Sequence, residues 1–268
     1  MFFQADKQQK EGEIMSDFSE LEGKKVLIVG GGKGIGKDIA FAFARRGSNV
    51  IITGRNEDDL RKTTEELREI KPNCSYLTAD IQNVHEIYTM IDAAVSRLGQ
   101  IDVLINNAGI NIPKPALEVT EEDWDRVLDT NLKGSFFCSQ RAGKYMIEQQ
   151  IPGKIINIVS QMAFVGYIKR VAYCSSKGGA VQMTKALAIE WAPHQIKVNA
   201  VAPTFIETDF TKQMFDDEDF YQDVISRIPL GTLAKPSDVT GAVLFLASNM
   251  ANFITGETIR VDGGWTAI

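Results

Sequence analysis

Along most of the chain, short apolar runs rich in β-branched residues alternate with longer stretches whose apolar positions recur at a helical period. VLIV at 26–29 leads into a helical stretch from Ile35 to Arg46, and VIIT at 50–53 leads into another from Glu57 to Ile70. Similar runs at 75–79 (SYLTA), 102–106 (DVLIN), 154–159 (KIINIV), 197–201 (KVNAV) and 258–261 (TIRV) predict strands, with helices near 83–98, 121–149, 171–192 and 236–247. Runs that are apolar at every position belong to strands buried on both faces, and strand–helix alternation of this kind predicts one parallel sheet covered by helices on both sides. A single doubly wound α/β domain of about seven strands, residues 21–268, is therefore expected. No repeat or low-complexity linker marks a second domain. Residues 1–20 read as a flexible extension, within which Met15 opens a second sensible start.

The rhythm breaks once. Residues 204–235 are long, acidic at DDEDF and rich in aromatics, among them Phe205 and Phe210. An insertion near the carboxyl end of a strand reads as a substrate lid, with a helical hairpin packed on the surface as the alternative.

Composition narrows the function classes. The net charge is −6 with scattered basic residues, which argues against nucleic acid or an anionic membrane as partner. Three cysteines without C-x-x-C spacing and two histidines offer no metal constellation, and no apolar run reaches the length of a membrane span. The expectation is a cytoplasmic protein without a metal.

The stretch VGGGKGIG (29–36) places five glycines directly behind the first strand. The spacing is G-x-x-x-G-x-G on Gly30, Gly34 and Gly36, not the G-x-G-x-x-G of the common dinucleotide fingerprint. Between a strand and a helix, such a loop suits a nucleotide phosphate facing backbone N–H groups and the helix dipole. A tight turn without a ligand is the alternative.

YCSSK sets Tyr173 and Lys177 four residues apart, on one face of a predicted helix whose surroundings, VAYCSSKGGAV, are small and apolar. At about 5 Å and an effective dielectric near 20, the ammonium would favour phenolate by roughly 3 kcal/mol, or about two pKa units. A tyrosine so poised can exchange a proton with an alcohol or ketone. A phenol and an ammonium on a solvated surface is the competing reading.

These motifs together resemble the short-chain dehydrogenase/reductase family from about Leu21 to Ile268. The glycine motif matches at Gly30, Gly34 and Gly36, and N-N-A-G is Asn106, Asn107, Ala108 and Gly109. A serine thirteen residues before the tyrosine is Ser160, and the helix asparagine is Asn131 in DTNLKG. The resemblance implies a Rossmann-like domain, a nicotinamide cofactor, a small carbonyl/alcohol substrate couple and a homotetramer.

By the same resemblance Tyr173 is the general acid and Ser160 donates to the carbonyl. Lys177 lowers the tyrosine pKa and holds the nicotinamide ribose, and Asn131 anchors a proton-relaying water. Asp80 would meet the adenine, with Ile81 beside it. Gly32, Lys33, Ile35, Asn107, Ala108 and Gly109 join the cofactor cradle, and Pro203, Ile206 and Thr208 lie at its nicotinamide end. Asn131 bonding backbone in a kinked helix and Asp80 capping the next helix remain the plainer alternatives. Two departures stand out: Val29 replaces a frequent threonine, and Pro203-Thr204 replaces Pro-Gly, which implies a stiffer loop.

The second strand ends NVIITGRN, so Gly54 occupies the place of the acid that selects NAD. Arg55 follows and Lys33 would flank it, which favours NADP(H) over NAD(H), unless Glu57, Asp58 and Asp59 pair with these cations. The substrate reads as a sugar or polyol. A 3-oxoacyl thioester is the rival, and a dinucleotide sensor without turnover is the alternative from another class. Asn111, Gln161, Tyr167, Phe205 and Phe210 are pocket candidates. Lys169 and Arg170 read as a solvated turn rather than as contacts for an anionic substrate. The 171–192 helix is apolar on more than one side, which, with the 121–149 helix and VDGGWTAI, suits a tetramer of dihedral symmetry.

Overall fold

The computed structural model describes residues 18–207 and 213–267. Seven parallel strands form one sheet in the order β3-β2-β1-β4-β5-β6-β7. They are β1 (Lys25–Val29), β2 (Asn49–Gly54), β3 (Ser75–Thr78), β4 (Val103–Asn106), β5 (Lys154–Ile158), β6 (Lys197–Pro203) and β7 (Thr258–Val261). The helices between them are α1 (Gly34–Arg45), α2 (Glu57–Ile70), α3 (Val84–Leu98), α4 (Glu121–Leu128), α5 (Ser135–Glu148), α6 (Val171–Trp191), α7 (Glu218–Ser226) and α8 (Pro236–Ala247). The expected doubly wound α/β architecture is present. No helix among the described residues is long and apolar enough to cross a membrane.

Period-two alternation divides the strands' side chains between two cores. Val26, Ile28, Val50, Ile52, Val103 and Ile105 pack under α1, α2 and α8. Their neighbours Leu27, Ile51, Leu104 and Ile155 pack under α3, α5 and α6, where Ile91, Ala142 and Trp191 close the layer. Because the chain winds outward in both directions from the β1/β4 pair, the loops after these two strands diverge and leave a crevice at the sheet's carboxyl edge.

Two stretches differ from the sequence expectation. The helix foreseen over 121–149 is interrupted by a π-helical segment, Asp129–Gly134, between α4 and α5. Hydrogen bonds to i+5 accommodate an extra residue without a break, and Asn131 lies inside this segment. Within 204–235 the chain forms α7, whose N-terminus is capped by Asp217 accepting from Phe220 N at 3.1 Å.

Candidate active site

The glycine loop closes against the loop after β4. Gly30 has φ +83°, and a Cβ there would stand 2.7 Å from the Ala108 backbone. Asn107 Nδ2 donates to the Gly30 carbonyl at 2.6 Å. A Cβ on Gly36 would fall 2.1 Å from that same oxygen, so the contact admits only glycine. Gly34 turns the chain with φ +53°, while Gly32 receives a 2.9 Å hydrogen bond from Thr63 Oγ1 on its carbonyl.

The first turn of α1, holding Gly34, Ile35 and Gly36, follows Lys33 as N-cap without a side-chain cap and without an acid. Its N–H groups and the positive end of the helix dipole suit an anion.

The adenosine end is built at β2 and β3. Gly54 has room, since a Cβ there would meet only Leu60 at 3.6 Å, an ordinary contact. Arg55 is half exposed, 3.9 Å from Asp80 Oδ2, while Asp80 Oδ1 accepts from Gln82 N at 3.0 Å. Asn83, not Asp80, caps α3, which removes the capping alternative for Asp80. Ile81 is buried beneath the π segment, its carbonyl 2.7 Å from a Cβ built on Gly134. Lys33 is not a free second cation: its exposed ammonium pairs with Asp59 at 2.8 Å.

At the carboxyl end of β5, Ser160 Oγ donates to Gln161 Oε1 at 2.8 Å and accepts from Met162 N at 3.2 Å. It is also hydrogen-bonded to Tyr173, which projects from the first turn of α6. One turn on, buried Lys177 donates to the Ile158 carbonyl at 2.9 Å and stands 5.7 Å from the centre of the Tyr173 ring. Asn131 Oδ1 accepts from Ile110 N at 2.8 Å, and its Nδ2 donates to Ile110 O at 2.9 Å and to Ser176 Oγ at 3.0 Å. Ser176 Oγ donates in turn to the Tyr173 carbonyl at 2.8 Å. The four polar residues are thus brought together, and Asn131 is pinned to backbone as the plainer alternative foresaw. Ser176, which ties Asn131 to the tyrosine's own helix turn, was not anticipated, although it immediately precedes Lys177.

The electrostatics correct one expectation. Burial, opposed by the Ser160 hydrogen bond, pushes the Tyr173 phenol up rather than down. Burial also brings the Lys177 ammonium down to about 8. Desolvation is the largest cause for both groups, and the lysine, lying beside the ring and donating to Ile158, does not offset it.

On the substrate side, Gln161 is buried, Asn111 is exposed, and Tyr167 and Phe205 meet edge-on at 5.9 Å between ring centres. Trp265, Phe215 and Phe220 complete this aromatic layer beneath α7. Tyr167 donates its hydroxyl to Asp223 at 2.7 Å. Pro203 ends β6, and the buried Ile206 pairs with Ala234 in a parallel bridge. Thr208 and Phe210 lie outside the described residues. The turn at 169–170 is only half as expected. Lys169 is exposed with φ +58°, whereas Arg170 is buried, 6% exposed.

The residues present fit a dinucleotide. The α1 turn is open to a phosphate, and glycine at 109 keeps clear the space where a Cβ would come within 3.3 Å of Asn131 Oδ1 and 3.4 Å of Lys177 Nζ. The buried Thr204 Oγ1, just past β6, has no partner among the described residues.

Known proteins resemble the chain over almost its whole length. A family model described as "Enoyl-(Acyl carrier protein) reductase" matches residues 30–266. The 2-dehydro-3-deoxy-D-gluconate 5-dehydrogenase of Escherichia coli (strain K12) is 41% identical over 254 residues, 95% of this chain and 99% of the relative. The 3-oxoacyl-[acyl-carrier-protein] reductase of Thermotoga maritima is 38% identical over 91% of this chain and 98% of its own. A solved structure from Agrobacterium tumefaciens, proposed to be a 2-deoxy-D-gluconate 3-dehydrogenase and holding bound NADP, superposes with a TM-score of 0.85 at 36% identity, covering 92% of this chain and 98% of that one. From the glycine loop to the last strand, the chain belongs to the short-chain dehydrogenase/reductase family and is an oxidoreductase acting on hydroxyl groups.

Proposed function

We propose that the chain interconverts a carbonyl and a secondary alcohol on a sugar or polyol skeleton with NADP(H), using Tyr173 as general acid and base. The observation that carries the reading is the convergence of Ser160, Tyr173, Lys177 and Asn131 at the carboxyl ends of β5 and α6's neighbours, next to an uncapped α1. A bound nicotinamide supplies the hydride. The chain's own residues do the rest. Ser160, held by Gln161 and Met162, offers its hydroxyl to the oxygen on which charge develops. Tyr173 gives that oxygen its proton in reduction and takes it back in oxidation. Burial pushes this phenol up, and the same group serves both directions, as proton donor in reduction and proton acceptor in oxidation. Lys177 fixes the tyrosine's surroundings through Ile158 and presents its remaining donors across the space kept open by Gly109.

Selection of NADP(H) rests on the missing acid at Gly54 and on Arg55, which is only loosely engaged by Asp80 at 3.9 Å. The Agrobacterium protein's bound NADP supports the same choice. A homotetramer is proposed from the apolar cleft between α5 and α6, lined by Leu128, Leu132, Phe136, Phe137 and Met183, and from the exposed Ile189 and Phe253. The second reading, reduction of a 3-oxoacyl thioester, is favoured by the name of the Thermotoga relative. The test is oxidation of NADPH and NADH by the purified protein with oxo-hexonates, ketoses and 3-oxoacyl thioesters. Turnover of the sugar carbonyls with NADPH is expected. Turnover of thioesters alone, or kcat/KM about tenfold better with NADH, would overturn substrate or cofactor respectively.

A further inference from the structure

Arg170 is out of place for a surface turn. It is the N-cap of α6, one turn before Tyr173, and only 6% of it is exposed. A guanidinium stays charged at any physiological pH and carries five N–H donors, so it cannot escape burial by losing a proton as a lysine can. Yet its one side-chain hydrogen bond among the described residues is Nη1 to the carbonyl of its neighbour Lys169, at 3.4 Å, near the limit of such a bond. No carboxylate among the described residues pairs with it. The groups that feel its charge are the hydroxyls of Tyr167 and Tyr173 and the thiol of Cys174. Asp223, which holds the Tyr167 hydroxyl, is already engaged by Arg227 at 2.8 Å.

The helix that Arg170 opens adds to the imbalance. The first turn of α6 has neither a side-chain cap nor an acid, so the positive end of its dipole faces the same region as the buried cation. An uncompensated buried charge is costly, and the arrangement is complete only with an anion. The charge of Arg170 is felt at the Tyr173 phenol, so that anion lies close to the proton-donating group.

From this we propose that Arg170 binds a carboxylate carried by the substrate itself, a few carbons from the carbonyl that Tyr173 protonates, so that the substrates are oxo-sugar acids rather than neutral ketoses. The assignment rests on the sugar reading above and deepens it. A 3-oxoacyl thioester would leave Arg170 unmatched, because the acyl chain and the thioester flanking the reacting carbonyl are neutral and the carrier's phosphate lies at the far end of a long arm. The cofactor's phosphates do not serve either, being accounted for at α1 on the other side of the crevice.

Two probe pairs test the site. In turnover, 5-oxo-D-gluconate is compared with D-fructose; in calorimetry on the protein with NADP, D-gluconate is compared with D-glucitol. In wild-type protein D-gluconate binds about tenfold or more tightly than D-glucitol. In Arg170→Met, the ratio of kcat/KM for the oxo-acid to that for the ketose falls about thirtyfold or more, the loss appearing in KM, and the gluconate-to-glucitol affinity ratio falls with it. Arg170→Lys keeps the charge without the planar fork and lies between. Equal binding of gluconate and glucitol by the wild type would overturn the proposal without any variant, as would unchanged ratios in Arg170→Met. Arg170-dependent gluconate binding without reduction of any oxo-sugar would leave the carboxylate site standing and sink the proposed reaction. Reduction of both carbonyls without discrimination would do the reverse.

Discussion

The starts of α1 and α6 make an instructive pair. Each begins on a cation, Lys33 and Arg170, and neither has a side-chain cap or an acid in its first turn. Helices α2, α3 and α4 follow the usual chemistry instead: Asn56, Asn83 and Thr120 accept from their first-turn N–H groups, and acids follow in each. α5 also lacks both, but it continues directly from the π segment and has no free start; α1 and α6 meet at the carboxyl edge of the sheet, and they differ from one another. Lys33 is 74% exposed by side chain and neutralised by Asp59, whereas Arg170 is buried and not neutralised by any described residue. The first leaves recognition to backbone N–H groups, which any phosphate satisfies. The second commits a side chain, which selects.

The largest test of this division is Tyr173→Phe, which separates chemistry at α6 from binding at α1. Turnover should fall by about a thousandfold, with NADPH affinity by fluorescence titration changed by less than about threefold. A comparable loss in affinity would show that the two ends are not independent.

Next comes a cation at the opposite kind of helix end. Lys154, buried at the start of β5, donates to the Ser248 carbonyl at the C-terminus of α8, and burial beside Lys197 brings it down to about 8. Its native pKa lies below the unfolded value of 10.5, so between pH 8 and 10.5 the unfolded state binds more protons and stability rises with pH. The stability of wild type relative to Lys154→Met, by denaturant titration, should therefore improve by about 3 kcal/mol from pH 7 to pH 10.5. A pH-independent difference would contradict the burial argument.

At the adenosine end, Gly54→Asp with Arg55→Ala should move the NADPH/NADH ratio of kcat/KM about tenfold or more toward NADH, since the new side chain has room beside Leu60. The smallest effect is Lys33→Asp, which gives α1 the cap it lacks. Unfolding free energy should rise by about 0.5–1 kcal/mol while NADPH binding weakens, because cap and phosphate compete for the same N–H groups. Tighter NADPH binding would break the contrast between α1 and the capped helices.

Much of this was legible in the sequence because its signals are local. The strand runs lie within two residues of the observed ends, and the four-residue spacing of Tyr173 and Lys177 sets the pair on one helix, while Ser160 and Asn131 were named only through the family resemblance. The π segment was not legible, since an apolar period over 121–149 is blind to one extra residue held by a longer hydrogen bond. The burial of Arg170 was hidden too. Its neighbours Ile168 and Lys169 are both exposed, and nothing local in the run Ile168-Lys169-Arg170 distinguishes the one of the three that is covered. The sign of the Tyr173 shift failed for a related reason: a pairwise charge argument carries no information about desolvation.

The extra residue between α4 and α5 makes chain length itself part of the site. Each residue advances an α-helix by about 100°, and the i+5 hydrogen bonds of Asp129–Gly134 absorb one such step, so deleting one position there would let the segment close to α-helix with α5 kept in phase. Cys138, Ala142 and Met146 would stay on the sheet they now cover, whereas Asn131, carried by the widened turn, would withdraw from Ile110 and Ser176. A change that removes no functional side chain would thus disconnect the asparagine while leaving the core layer seated. Elsewhere in α4 and α5, where no widened turn can absorb the step, a one-residue insertion or deletion would turn the core face away from the sheet, even though much of the outer face is exposed.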